Sequence, residues 1–408
     1  MERNIIYLWI CALVIVHPVV HGNQETSESP LSEKLPSLLK MNNDLAFDLY
    51  KRLVELPEYK SKNIFFSPFS IAMAISELTL GAGGDTKNQI LNGIGYNSTF
   101  FSNKEMHELF HSLLEEIDER KGVDIDVGTA VYASEGLKVI PEFFEKMKDF
   151  YHSDGFTVNF GDKSTVDKIN TYVKEKTHGK IDKTVEELDT NTVMFLLTYI
   201  YFKGKWDMPF NPSKTSEGKF HLDDTTSVPV QMMHQSDFLK FHYDMDLSTK
   251  VLCLDYNDSF AMFLAVPDHV KNKTITDLEN AASTQQIEKW RKSFFKRKID
   301  IYVPKLSLKS SYTLNDVLKQ MGMTDMFSGK ADFSGISEDR MMISEVMHKA
   351  SLDMDEEGTT AAAVTTVEFS RMSLPAQDVR FDRPFMVFIV DQKNDNILFF
   401  GKVVNPTD

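Results

Sequence analysis

The sequence predicts an α+β fold built as a single large domain, and three observations carry that reading. Helical periodicity fills the first part of the chain and strand patterns fill the later part, with no Pro/Gly/Ser-rich linker and no internal repeat. One run, "TVMFLLTYIYFKGKW", is apolar almost throughout, as a strand covered on both faces of a sheet must be. The chain's 408 residues, 42% hydrophobic and 26% charged, suffice for one sizeable core.

The N-terminal residues read as a targeting segment. Arg3 precedes the apolar run "IIYLWICALVIV", and "VVHG" ends in a small residue, the pattern of a signal peptide over residues 1–22 cleaved after Gly22. The run is too short to span a bilayer, so a soluble, secreted, extracellular monomer is expected, with no membrane association. Residues 23–38 are polar with Pro and Ser and read as a flexible arm, leaving 39–408 as the folded domain. In "NNDLAFDLYKRLVEL", Leu45, Leu49, Leu53 and Leu56 share one helical face, with Asn43 or Asp44 as the cap. "SPFSIAMAISELTLGAGG" predicts a second helix with Pro68 in its first turn and Gly81 near its end, and "NKEMHELFHSLLEEI" a third. Strands follow: "VDIDVGTAVYAS", the apolar run above, the alternating "KIDIYVPKLSL", and "PFMVFIVDQKNDNILFFGKVV" as two strands around a polar turn.

Composition excludes several functions. A net charge of −15 argues against a nucleic-acid partner. There is no His-Glu-x-x-His pair, no Cys pair and no Gly-x-Ser-x-Gly elbow, so neither a metal site nor an enzyme active site is expected, and no cofactor. "GAGGDTK" has the wrong lysine spacing for a phosphate loop and reads as the end of a helix. His348, among apolar neighbours in "MISEVMHKASLDM", reads as a core histidine rather than a catalytic one. Cys11 leaves with the signal, so Cys253 is the one remaining thiol, either an inert buried group or a reactive one. Asn97, Asn257 and Asn272 head sequons that a secreted chain would present for glycosylation. Lys289, Arg291, Lys292, Lys296, Arg297 and Lys298 cluster in "EKWRKSFFKRK", either as a solvated helix face running into a strand or as a site for a sulfated, heparin-like glycosaminoglycan.

The most unusual stretch is "EEGTTAAAVTTVEFSRMSLPAQ", residues 356–377. Its composition is that of a strand, yet both ends read as loop. A loop this long inside one domain is usually functional.

These segments together resemble a known family, the serpins, and within it the alpha-1-antitrypsin group. "NIFFSPFSIAMAISELTLGAGGDTKNQIL", "TYIYFKGKWDMPF", "VPVQMM", "DRPFMVFIV", "FFGKVVNP" and the hinge "EEGTTAAAVTT" occur in the family's order over nearly the whole mature chain. The resemblance implies three sheets, about nine helices and an exposed reactive loop, here 356–380. It implies inhibition of serine proteases by a suicide mechanism: the protease cuts the loop, and the freed segment inserts into the main sheet with the acyl-enzyme attached.

The residues suit that mechanism. If 359–371 becomes a strand, one face carries Thr359, Ala361, Ala363, Thr365 and Val367, all small or β-branched and uncharged. The other carries Thr360, Ala362, Val364, Thr366 and Glu368, and Gly358 supplies backbone freedom after Glu356 and Glu357. By family spacing the scissile bond joins Met372 to Ser373, in the pocket preference of elastase- or chymotrypsin-like enzymes. Arg371 is the rival, and would mean trypsin-like targets. The resemblance also assigns Ser67, Ser70 and His348 to the region where the sheet opens, Trp206 to its top, and Lys305 with Glu356 to an ion pair there. Thr198 stands where the family usually has an Asn that bonds the matching histidine. The competing reading is a non-inhibitory serpin that carries a small hormone.

Overall fold

The computed structural model describes residues 31–357 and 376–408. The first half builds α1 (Leu35–Glu55), β1 (Ile64–Phe66), α2 (Pro68–Leu78), α3 (Gly84–Gly93), α4 (Asn103–Asp118), β2 (Val123–Ser134), α5 (Pro141–Tyr151), β3 (Asp154–Val158), α6 (Ser164–Lys176) and β4 (Met194–Gly204). Strands β5 (Ser216–His221), β6 (Ser227–Asp244), β7 (Thr249–Asp255) and β8 (Phe260–Pro267) lead into α7 (Ile275–Ala281) and α8 (Thr284–Ser293). The chain continues through β9 (Phe295–Pro304), β10 (Leu306–Thr313), α9 (Asn315–Gln320), β11 (Glu345–Met354), β12 (Gln377–Arg380), β13 (Phe385–Asp391) and β14 (Asn396–Val403).

Among the described residues, hydrogen bonds join the strands into two networks. One is five-stranded, in the order β10-β11-β4-β2-β3; the other runs β1-β14-β13-β8-β7-β6-β9-β12, with β5 also on β6. The 18-residue β6 is shared between two strand groups of the larger network: its start pairs with β5, its middle with β9 and its end with β7. Counted as groups, the described residues form the α+β architecture of three sheets and nine α-helices, in line with the three sheets and about nine helices that the family resemblance implies.

Strand β4 shows why its sequence has no polar face. Met194, Leu196, Ile200 and Phe202 enter the main core, on the side where α2 packs. Phe195, Leu197 and Tyr199 enter a second apolar cluster with Ile169 and Val173 of α6. Helix α2 is itself buried at every position, as a helix apolar on almost every side must be. The Ser67 side chain caps it by accepting from Ser70 N–H at 3.1 Å, and Pro68 occupies the first turn, where a missing N–H costs nothing.

Four expectations need correction. The arm does not extend to residue 38: Ser32–Lys34 form a 3-10 turn and α1 starts at Leu35, because Leu38 and Leu39 already bury against the core. Asn43 and Asp44 therefore cap nothing. Asn43 lies mid-helix, donates to Asp395 O at 2.8 Å and accepts from Ile397 N–H at 2.9 Å, while Asn42 donates to Asn396 Oδ1 at 2.6 Å. "KIDIYVPKLSL" is two strands, broken after Pro304, whose ring offers no N–H to extend the ladder. At the C-terminal side of the predicted loop, residues 377–380 are strand β12, paired with β9.

Candidate functional site

Strands β4 and β11 are parallel neighbours over eight pairs, from Glu345↔Phe195 to Leu352↔Phe202. Their outer neighbours β2 and β10 are antiparallel to them. A segment that turned back after β11 would run antiparallel to β11 and to β4 alike, so its direction would suit a ladder with either member of this pair.

That chain leaves β11 through a set of anchors. Trp206 Nε1–H donates to Asp355 O at 2.9 Å, and Phe210 N–H donates to Glu356 O at 2.9 Å. The Trp206 indole stacks on Tyr256 with ring centroids 4.1 Å apart. Lys305 Nζ lies 2.6 Å from Glu356 Oε2, and Thr215 Oγ1–H donates to Glu356 Oε1 at 2.7 Å. Burial alone would raise the Glu356 carboxyl, but the bonds from Lys305 and Thr215 override it and hold the group below its ordinary value. The expected pairing of Lys305 with Glu356 is thus present, 51 residues apart in the chain.

Lower in the same sheet a row of polar side chains crosses four strands on the α2 side and ends just beyond them. Register places Tyr312 beside His348, His348 beside Thr198, and Thr198 beside Thr129, with Ser153 just ahead of β3. None is more than 2% exposed. Each finds a partner across the interface: Phe65 N–H donates to Tyr312 OH at 3.0 Å, and Ser67 N–H to His348 Nε2 at 3.0 Å. Ser70 Oγ and Thr198 Oγ1 share a short hydrogen bond, and Thr198 Oγ1–H also reaches Ser70 O at 3.3 Å. Thr129 Oγ1 and Ser153 Oγ are 2.6 Å apart, and Ser153 Oγ–H donates to Glu77 Oε2 at 3.1 Å.

Ser67, Ser70, Thr198 and His348 therefore do meet. His348 is a core histidine only half satisfied. Burial pushes its imidazole down to about 3, so the ring is neutral; Nε2 accepts, so Nδ1 carries the proton, and Nδ1 has no partner among the described residues. The Thr198 hydroxyl is spent on Ser70 instead. Glu77 was not anticipated from sequence, although an acid inside the otherwise apolar "SIAMAISELTL" is the signal that marks it. Burial drives its carboxyl up to about 8 against the opposing Thr129 and Ser153 hydroxyls.

The basic cluster divides in two. On α8, Lys289 pairs with Asp246 at 2.6 Å, Arg291 with Asp395 at 2.9 Å and Lys292 with Glu288 at 3.6 Å. On β9, Lys296, Arg297 and Lys298 form no ion pair among the described residues; Lys296 and Lys298 share the outward face, and the Arg297 guanidinium lies 5.7 Å from the centre of the Phe241 ring. Asn97 and Asn272 are exposed and Asn257 half-buried. Cys253 is buried and its thiol is pushed far up by desolvation. Among the described residues there is no group of three or more His, Cys, Asp or Glu suited to a metal, and no helix long and apolar enough to cross a membrane. The signal peptide, Gly358, Thr359, Ala361, Ala363, Arg371, Met372 and Ser373 lie outside the described residues.

Comparison with known proteins gives a consistent result. The family model for serpin (serine protease inhibitor) matches residues 40–406. The alpha-1-antiproteinase of Rattus norvegicus is 39% identical over 410 residues, covering 98% of each chain. That of Callosciurus caniceps is 40% identical over 390 residues, covering 94% of this chain and 93% of its own. Among solved structures, human thyroxine-binding globulin in complex with thyroxine superposes with a TM-score of 0.85 at 35% identity, over 92% of this chain and 100% of that one. Human glycosylated kallistatin gives 0.83 at 36%, over 91% and 99%.

Proposed function

Because the chain belongs to the serpin family, close to the alpha-1-antitrypsin group, we propose that it is a secreted inhibitor that traps serine proteases as a suicide substrate. The observation that carries this reading is the parallel β4–β11 pair, with the chain leaving β11 directly above it. The target's serine hydroxyl attacks the Met372 carbonyl carbon and the Met372–Ser373 bond breaks. The new Ser373 amine departs with the C-terminal piece, which stays docked through β12–β14, and the protease remains esterified to Met372. The segment from 358 onward then enters between β4 and β11, small uncharged side chains inward. Glu356, anchored by Lys305 and Thr215, marks where entry starts. Cleavage after Arg371 is the alternative register, and it turns the target to trypsin-like enzymes.

The signal peptide and the Asn97, Asn257 and Asn272 sequons suit a secreted glycoprotein acting as a monomer. Asn97 is the best presented of the three: it is exposed, and its Oδ1 accepts from Thr99 N–H at 2.9 Å and Thr99 Oγ1–H at 2.8 Å. A heparin-like polysaccharide would find its free cations on β9 rather than α8. Weaker retention of Lys296→Ala/Lys298→Ala on heparin–agarose is the expected result, and unchanged elution ends that idea.

The second reading, a hormone carrier, is favoured by the likeness to thyroxine-binding globulin. The uncharged alternation from Thr359 to Val367 favours inhibition instead. Mixing the chain with elastase, chymotrypsin and trypsin, then running denaturing gels, separates the two. An inhibitor gives a band that survives denaturation, whereas a carrier is only cut. Mass spectrometry of the released peptide fixes the bond: a start at Ser373 supports Met372, and a start at Met372 transfers the role to Arg371.

A further inference from the structure

Helix α2 is fastened to both sides of the β4–β11 pair. On the β11 side, Ser67 N–H donates to His348 Nε2. On the other side, Ser70 bonds Thr198 of β4, and Glu77 bonds Ser153, which bonds Thr129 of β2. A strand entering between β4 and β11 moves them from adjacent to next-nearest, about 4.8 Å further apart. One helix cannot keep both sets of bonds through that movement. The Glu77–Ser153–Thr129 link must therefore either break or pull α2 away from β11.

Among the described residues, no positive charge acts at the seat of Glu77. The side chain is 0% exposed; Oε2 accepts from Ser153, and Oε1 has no partner among the described residues. From α5, Tyr151 is the titratable neighbour, its OH bonded to His107 Nδ1 of α4. His107 is neutral, pushed down by burial and then by Lys87 of α3. The strands contribute only the Thr129 and Ser153 hydroxyls and, further along the row, Thr198 and the neutral His348. Among the described residues, no charged group of α1, β4 or β14 shifts the carboxyl. Only the uncharged acid suits such a seat; a carboxylate there would face two hydroxyls and no counter-charge.

We propose that Glu77 is a proton-controlled latch of the five-stranded sheet: as the neutral acid it holds α2 against β2, and on losing its proton it loosens the seam and eases strand entry. The sign follows from linkage. The closed state holds the proton up to about pH 8, whereas a hydrated, opened Glu77 releases it in the ordinary carboxylate range. Stability contributed by the proton is complete at acid pH and is lost as pH rises through the closed-state value. Between about pH 5 and pH 8 the equilibrium for any opening that hydrates Glu77 grows by up to about tenfold per pH unit, and it levels off above.

This use of the latch rests on the strand-insertion reading, so the test carries readouts that do not. The intact chain and Glu77→Gln, the uncharged isostere, are compared from pH 5 to pH 9 by thermal melting and by uptake of a labelled peptide copying residues 359–370. Infrared difference spectra follow the protonated carboxyl stretch. Expected are a carboxyl band persisting to about pH 8 in the parent and absent from Glu77→Gln, and a melting advantage of Glu77→Gln that widens from pH 5 to pH 8. Peptide uptake should accelerate several-fold per pH unit only in the parent. Superimposable pH profiles for the two chains, or no protonated-carboxyl band above pH 6, overturn the proposal. If no peptide enters either chain at any pH, the insertion reading fails while melting and infrared still judge Glu77. Should Glu77→Gln not fold, Glu77→Met and the parent's own infrared titration decide.

Discussion

A single cut inside residues 358–375 should raise the melting temperature of this protein. In the intact chain β4 and β11 face each other over eight pairs. An inserted strand replaces that one ladder with two antiparallel ladders of the same length, a net gain of roughly eight hydrogen bonds. At about 1 kcal/mol net each, the gain is on the order of 8 kcal/mol before any side-chain burial. Unfolding entropy near 2.1 cal/mol/K per residue, over roughly 360 ordered residues, amounts to about 0.8 kcal/mol/K. Dividing one by the other gives a rise of about 10 °C as a lower bound. The assay is circular dichroism or calorimetric melting of intact and clipped protein at one pH, with the cut verified by mass spectrometry. Melting curves agreeing within about 2 °C would refute the reasoning, because a loop that stays outside the sheet gains none of these bonds.

Lys305→Ala should leave the carboxyl of Glu356, 8% exposed, with only Thr215; the lysine side chain is 41% exposed, so screening limits the loss to about 1 kcal/mol, read as severalfold faster peptide uptake. Because the Glu356 carboxyl is held below its ordinary value, this stabilisation is present at neutral pH and fades as pH falls through the folded-state value, so parent and variant should converge in acid. Thr198→Asn should offer an amide to the unpartnered His348 Nδ1–H and raise the melting temperature, with about 1 kcal/mol at stake; a lowered one would mean that the larger side chain overpacks the seam. Cys253 should resist thiol reagents in the folded protein and titrate as one thiol in denaturant, and rapid labelling of the native chain would contradict its burial.

What the sequence discloses, and what it hides, follows from the range of the interactions. The two-faced burial of β4 is legible because both neighbours impose the same apolar demand on successive residues. The start of α2 is legible because the Pro68 signal acts within one turn. Asn43 misleads for the opposite reason: its partners lie at 395 and 397, so a residue type typical of helix starts was serving a contact 352 and 354 positions away. The cations of α8 look like a binding patch in the sequence because Asp246 and Asp395, which neutralise two of them, are remote along the chain. Lys305 and Glu356 were matched only through the family resemblance, since neither periodicity nor spacing links them. The polar row is invisible until register aligns Tyr312, His348, Thr198 and Thr129, one from each of four strands.

The pairing of β1 with β14, Ile64 opposite Lys402, bears on how the molecule is made. Residues 42 and 43 likewise wait for 396 and 397. On the ribosome, then, residues 358–375 emerge ahead of β12–β14, and at about 5–20 residues per second several seconds pass before the last of these strands follows. If the proposed insertion operates, the β4–β11 seam is exposed during that interval to a segment already present, while the strands that complete the larger network are not yet built. On the proposed mechanism, a newborn chain then depends on its last thirty or so residues docking in time, and a delay in their arrival would favour premature self-insertion.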